Sequence, residues 1–339
     1  MADNIENVLK RYFTDVSTIQ ISVITSGLIN QTYRITIQEK KYILQSINIQ
    51  VFKTPEIITS NILKVAGHLN TGKYPKQIVN LIANINGDYL TECEGVIWRL
   101  STYINDTVCF EKVQSKVQAY EAAKAMSEFH AHLVDFPIAE IQAGIPGFLD
   151  YQNRVLDFNK ALKNGNIKRL LLAEDEINFV QKNIELINKY LQINFPQRVV
   201  HADAKISNFL FHTVNSSQVA AIIDWDTILP GNILCDFGDM IRTYANLKAE
   251  DDIDSENNFS IENYQAVKQG FLFFLKDKLT DVELNSIDLT AKVVILIQAI
   301  RFLTDFLTND IYYQITYENQ NFNRTKNQLN LLQSLLRYT

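Results

Sequence analysis

His201-Ala202-Asp203-Ala204-Lys205-Ile206-Ser207-Asn208 is the stretch that decides how this chain is read. Apolar Val199-Val200 precedes it and apolar Phe209-Leu210-Phe211 follows it. A polar turn over 213–218 then leads into Val219-Ala220-Ala221-Ile222-Ile223, an apolar strand pattern that runs into Asp224-Trp225-Asp226. The residue types suit one kind of chemistry. Asp203 is placed to orient a hydroxyl and accept its proton. The Asn208 amide oxygen and the Asp224 carboxylate are hard oxygen donors of the kind a magnesium ion takes while keeping part of its water. Lys205, two residues past Asp203, offers a charge for an anionic group in flight.

Working outward, the first hundred residues carry β signals. Thr18–Thr25 and Gln31–Ile37 read as strands around Ser26-Gly27-Leu28-Ile29-Asn30, and Lys41–Ile47 reads as a third strand after the polar link Gln38-Glu39-Lys40. Thr54-Pro55-Glu56 opens a helix with apolar positions from Ile57 to Leu69. Asp88–Cys93 and Val96–Tyr103 read as two further strands. Beyond 104–106 the pattern turns helical, over 112–134, 150–162, 172–191, 263–278, 284–307 and 323–338. Only 199–226 interrupts it. The expected class is α+β, with a small antiparallel-sheet N-lobe over 1–103 and a mainly helical C-lobe over 104–339.

Composition excludes several alternatives. The 339 residues carry a net charge of −6, with 47% hydrophobic and 21% charged residues and no long Lys/Arg run. Nucleic acid is therefore not an expected partner, because a phosphate backbone demands clustered positive charge. Residues 1–13 read as a charged amphipathic helix without the apolar core of a signal peptide. The apolar run Val293–Leu307 is broken by Gln298, Arg301 and Asp305 and is too short for a bilayer. Three cysteines at unrelated spacings fit neither a disulfide framework nor a zinc site. The expectation is a cytoplasmic protein with reduced thiols and no membrane partner, either monomer or homodimer.

The H-x-D-x-K-x-x-N spacing resembles the catalytic loop of kinases, and the strand-strand-strand-helix-strand-strand order resembles their small lobe. More narrowly, the chain resembles the aminoglycoside phosphotransferase and choline kinase superfamily, and within it the N-acetylhexosamine kinase branch. That likeness rests on Gly27-Leu28-Ile29-Asn30-Gln31-Thr32-Tyr33, Tyr42–Asn48, Asp224-Trp225-Asp226-Thr227-Ile228-Leu229-Pro230-Gly231, Asp236-Phe237-Gly238-Asp239 with Arg242, and Arg301-Phe302-Leu303-Thr304-Asp305. It covers nearly the whole chain. It implies a protein-kinase-like two-lobed fold and transfer of the γ-phosphate of ATP, with Mg2+, to the anomeric hydroxyl of a sugar. Asp203 would be the base, with Lys205 beside it, and Asn208 and Asp224 the metal ligands. Ser26 and Gly27 would cover the phosphates, Ser101 and Tyr103 would contact the adenine, and Asn30, Arg301 and Tyr312 would lie near the sugar.

Two positions depart from the wider kinase pattern. The turn at 26–30 has one glycine, and Gln45 stands where most kinases carry a phosphate-pairing lysine, as it does in the sugar-kinase branch. Which residue neutralises those phosphates stays open. Asp236-Phe237-Gly238 spells the protein-kinase metal motif but follows no apolar strand. Asp236 either braces the catalytic loop or caps a helix, while His201 fixes the loop by hydrogen bonding. His130 and His132 at i, i+2 do not share a helix face and are read as packing or surface residues. Arg301 is open between substrate contact and an ion pair with Asp305 at i+4. Two competing functions keep the fold: a choline-like or aminoglycoside amine kinase, and a nucleotide-binding pseudokinase, which Gln45 would favour and the intact Asp203, Lys205, Asn208 and Asp224 oppose.

Overall fold

The computed structural model describes residues 2–25 and 29–339, with the backbone alone at 2–4. The chain divides into two compact units that are discontinuous in sequence. The first gathers Met1–Cys109, His132–Pro146 and Asn208–Pro230. The second gathers Phe110–Ala131, Gly147–Ser207 and Gly231–Thr339.

The first unit is built on a six-stranded sheet. Gln20–Ile24, Gln31–Ile37, Lys40–Ser46, Val96–Thr102 and Leu81–Ile82 lie in that order, and Thr91–Cys93 also pairs with Val96–Thr102. All pairings are antiparallel. The polar link at Gln38-Glu39 is a two-residue hairpin turn with both φ values positive, 47° and 68°. That geometry matches the twist of the strands it joins and fixes the register at Ile37↔Lys40. Alternation then sorts the faces. Tyr33, Ile35, Ile37, Leu44, Trp98 and Leu100 point one way and pack against Ile5, Val8 and Leu9 of the N-terminal helix Ala2–Leu9. Thr32, Gln45, Arg99 and Ser101 belong to the other face by the same alternation.

A second, three-stranded sheet in this unit joins Val219–Ile222, Phe209–His212 and Thr107–Val108. The helix Pro55–Thr71 opens with Pro in its first turn and buries Ile58, Ile62, Val65 and Leu69. Its buried Asn61 donates to the carbonyls of Gln142 at 2.7 Å and Ile228 at 3.2 Å. One side chain thus ties two loops to the helix.

The second unit is helical around Ile287–Leu307, whose residues are buried on nearly every side. Lys116–Ala131, Tyr151–Asn164, Glu174–Leu191, Leu234–Tyr244, Ile261–Leu272 and Gln320–Tyr338 complete it, with shorter helices at Ile167–Leu172 and Asp281–Asn285. The helix that carries Asp236 runs from Leu234 to Tyr244. Gly238 lies in it, where a Cβ would meet Val294 Cγ2 at 2.6 Å, so the glycine permits close helix packing. Among the described residues no helix is long and apolar enough to cross a membrane. The three cysteines carry free thiols.

Candidate active site

In the second unit, the segment His201–Lys205 is held from the helix Leu234–Tyr244. Asp236, fully buried in its first turn, accepts the backbone N–H of His201 at 2.8 Å and of Ala202 at 2.6 Å. Tyr244, in its last turn, donates its hydroxyl to the carbonyl of Ala204 at 2.9 Å. Ala202 is driven into the left-handed region at φ 63°, a strained state for a residue with a Cβ, and the surrounding bonds hold it there. Asp203 follows directly. Its backbone N–H reaches His201 Nδ1 at 3.3 Å, and its Oδ2 lies 2.8 Å from Lys205 Nζ. Both side chains retain solvent exposure.

The electrostatics around this loop are uneven. Burial pushes the Asp236 carboxyl up, but His130, His201 and the backbone N–H group outweigh it and hold the group below the usual carboxylate range. His130 Nε2 stands 2.9 Å from Asp236 Oδ2. Of the two readings of His130, packing or surface, the structure has the first: it is buried, and it also partners the carboxylate that grips the loop. Asp239 behaves oppositely. Burial and the nearby Asp203 charge push it up, although Arg242 lies 2.8 Å away.

In the first unit, the strand pair Phe209–His212 and Val219–Ile222 carries Asn208 and Asp224. The Ile223 N–H donates to the Asn208 carbonyl at 2.9 Å, one step beyond the pair Ile222↔Phe209. Asn208 and Asp224 thus flank the same end of the ladder. Asn208 is buried and Asp224 exposed, and Asp224 sits at φ 63°, a conformation aspartate tolerates better than most residues. An amide oxygen and a carboxylate are a fitting donor set for magnesium, which needs one or two protein oxygens beside phosphate and water. Among the described residues no group of three His, Cys, Asp or Glu offers a closed cage.

The same unit brings together residues that the sequence reading did not link. Arg99 donates from Nε and Nη2 to Gln45 Oε1 at 3.0 and 2.7 Å. Its Nη1 and Nη2 face the two oxygens of Asp226 at 2.6 and 2.8 Å. Asn30 Nδ2 donates to Asp226 Oδ2 at 2.9 Å, and Gln45 Nε2 donates to Thr32 Oγ1 at 3.2 Å. Asp226 is positioned by the turn Trp225–Thr227, whose exit at Ile228 is held by Asn61. Neither Arg99 nor Asp226 was singled out from sequence, although a lone charge between Trp98 and Leu100 in an otherwise apolar strand was the available signal. Ser101 is buried in the same strand, and Tyr103 follows it with Lys41 Nζ 5.6 Å from its ring centre. Ser26 and Gly27 lie outside the described residues. A cavity of about 340 Å³, lined by Ile5, Tyr33, Val96 and Trp98 among others, opens on the opposite, helix-covered face.

In the second unit, Arg301 lies over the rings of Tyr313 and Phe148 at 5.6 and 6.0 Å and donates to Gln298 Oε1 at 2.9 Å. Asp305 does not take Arg301 as a partner. It accepts the backbone N–H groups of Tyr312 and Tyr313 at 2.7 and 2.9 Å and the Asn321 amide at 2.9 Å. Tyr312 is 65% exposed and packs edge-on against Tyr313.

The family described as "Phosphotransferase enzyme family" matches residues 20–268. The chain belongs to that family. It is an α+β phosphotransferase, an enzyme of the class that moves phosphate onto hydroxyl acceptors. Solved structures agree on the protein-kinase-like fold. An aminoglycoside phosphotransferase from Alicyclobacillus acidocaldarius is 12% identical with a TM-score of 0.68, covering 98% of this chain and 95% of that one. A spectinomycin phosphotransferase in complex with ADP and spectinomycin is 12% identical at a TM-score of 0.66, covering 99% and 98%. An ethanolamine kinase from Plasmodium vivax is 16% identical at a TM-score of 0.62, covering 96% and 86%. At these identities the likeness carries the fold of the phosphotransferase and leaves its acceptor to be argued from its own residues.

Proposed function

We propose that this phosphotransferase transfers the γ-phosphate of ATP to a sugar hydroxyl, with the anomeric hydroxyl of an N-acetylhexosamine as the first acceptor. The observation that carries the reading is the grip of Asp236 on His201 and Ala202, which presents Asp203 beside Lys205. In this reading residues 1–103 form the nucleotide lobe and 104–339 the catalytic and acceptor lobe.

Asp203 orients the acceptor hydroxyl and takes its proton as the oxygen attacks phosphorus. Lys205 then turns from Asp203 to the transferring group, where its charge meets the equatorial oxygens. Asn208 and Asp224 hold the metal. Magnesium, when bound, neutralises phosphate charge and fixes the polyphosphate geometry. Ser101 and Tyr103 line the adenine, and Gln45 faces the phosphates. Ser26 and Gly27 are assigned to cover them. Asn30, Arg301 and Tyr312 are assigned to the sugar. Tyr312 exposes its ring and packs on Tyr313, which lies under the Arg301 guanidinium; an exposed ring near such a charge suits an acceptor with one apolar ring face and several hydroxyls, and the fixed positive charge of Arg301 opposes a cationic amine.

The test is ADP release with Mg-ATP over a panel of N-acetylglucosamine, N-acetylgalactosamine, glucose, galactose, choline and kanamycin. Release with an N-acetylated sugar supports the reading. Release with an amine alone overturns the acceptor while leaving the phosphotransferase intact.

A further inference from the structure

We propose that Gln45, polarised by the buried Arg99 of the strand Val96–Thr102, takes at the phosphate site of this enzyme the role that a lysine at its position takes in most kinases. The inference rests on the nucleotide reading above and answers what that reading leaves open.

The register supplies the first argument. Gln45 and Arg99 are directly paired partners on adjacent antiparallel strands, on the face away from the N-terminal helix. Side chains so paired stand only about 5 Å apart at Cβ, so charge lost at one position can be restored from the other. The hydrogen bonds supply the second. Arg99 donates twice to Gln45 Oε1. An amide whose oxygen is so fixed must direct its NH2 the other way. One N–H of that NH2 goes to Thr32 Oγ1. The second remains as a donor on the side of the amide away from the guanidinium. Gln45 therefore acts as an extension of Arg99, a neutral amide polarised by two charge-assisted bonds.

The third argument is the counter-ion. In kinases the phosphate lysine is paired with a helix glutamate. Here Asp226 meets Arg99 through both oxygens, and Asn30 donates to it as well. The two carboxylates of Asp224-Trp225-Asp226 are thereby separated in role. Asp224 is exposed, whereas Asp226 is 3% exposed with its charge matched by a guanidinium. Asp226 is a positioning residue for Arg99. A buried ion pair is weak evidence of stabilisation, because desolvating two charges offsets most of their attraction.

The experiment compares binding of ADP and of adenosine by titration calorimetry, in wild-type protein and in Arg99→Gln, Gln45→Glu and the exchange variant Gln45→Lys/Arg99→Gln. The expected result is that Arg99→Gln weakens ADP about 10- to 100-fold, the equivalent of losing one or two charge-assisted hydrogen bonds, while adenosine binds as before. Gln45→Glu keeps the acceptor that Arg99 needs and preserves packing, but it turns the cluster net negative. It should show the same phosphate-selective loss, and it carries the test if Arg99→Gln does not fold. The exchange variant should regain at least part of the ADP affinity. Equal losses for ADP and adenosine, or ADP affinity unchanged in the folded variants, overturn the proposal and leave the nucleotide reading standing. Wild-type protein that binds neither compound removes that reading and the proposal with it.

Discussion

His130 Nε2 stands 2.9 Å from Asp236 Oδ2, and both side chains are almost completely buried. The same carboxylate receives the N–H groups of His201 and Ala202, so one group joins a helix to the loop that carries Asp203. Asp236→Ala would leave two backbone donors and a buried imidazole without their acceptor, and should lower unfolding free energy by about 3–5 kcal/mol. His130→Ala removes a single donor and should cost about 1–3 kcal/mol. Urea unfolding of the two variants checks the order. Equal stability of His130→Ala and wild type would show that the imidazole adds nothing to the clamp.

The pH dependence follows from the same carboxylate. Burial raises the Asp236 pKa, but its partners bring the net shift downward. Glu283 shifts the same way, with burial outweighed by Arg198 at 2.7 Å and by Thr280. A group depressed in the folded state contributes its full stability above its unfolded pKa and loses it as pH falls through the folded value. Wild-type protein should therefore lose stability below about pH 4. Asp236→Asn and Glu283→Gln should each be less stable at neutral pH and show a shallower acid limb. Parallel acid limbs in all three proteins would show that neither carboxylate is linked to folding in this way.

Asp203→Asn keeps the loop geometry and removes the carboxylate proposed as the base. Turnover should fall by about 10²- to 10⁴-fold while ADP still binds. Turnover within a few-fold of wild type would mean that another group takes the proton.

Asp305 holds the backbone of Tyr312 and Tyr313 through both its oxygens. Asp305→Ala should loosen that segment, raising the acceptor KM more than it changes ADP affinity, with a stability loss of about 1–3 kcal/mol. An unchanged acceptor KM would overturn the proposed assignment of Tyr312 to the acceptor.

Gly238→Ala places a methyl 2.6 Å from Val294 Cγ2. Valine has little rotamer freedom in a helix with which to retreat, so the substitution should cost about 1–3 kcal/mol. Val294→Ala in the same chain should recover part of it, and a thermodynamic cycle over the four proteins gives the coupling. An additive cycle would place the strain elsewhere.

How much could be read in advance depended on distance along the chain. The strands, the long helices and the loop from His201 to Asn208 are set by local spacing and periodicity, and they are legible. So are Asn208 and Asp224, because one short hairpin separates them. The Arg99–Asp226 pair is not, since its members lie in separate segments and neither has a local reason to be charged. The Asp236 partner of His130 is hidden for a similar reason: it comes from another helix, and spacing within the helix of His130 says nothing about a carboxylate arriving from outside. The start of the helix at Leu234 carries no sequence signal, because no side chain caps it. The short strands Leu81–Ile82 and Thr107–Val108 owe their existence to a neighbour to pair with, and two residues carry no periodicity.

The segmented make-up of the first unit bears on how the chain emerges from the ribosome. Residues 1–109 leave early, yet Thr107–Val108 pairs with Phe209–His212, and the unit is completed only by Asn208–Pro230. At ordinary synthesis rates of about 5–20 residues per second, the missing strands arrive about 5–20 s later. Through that interval the nascent unit presents an unpaired strand edge, a template for association with other chains. A fragment ending near residue 109 should therefore collect as aggregate, and a burst of synthesis should load the cell's chaperones more heavily than the finished enzyme's stability would suggest.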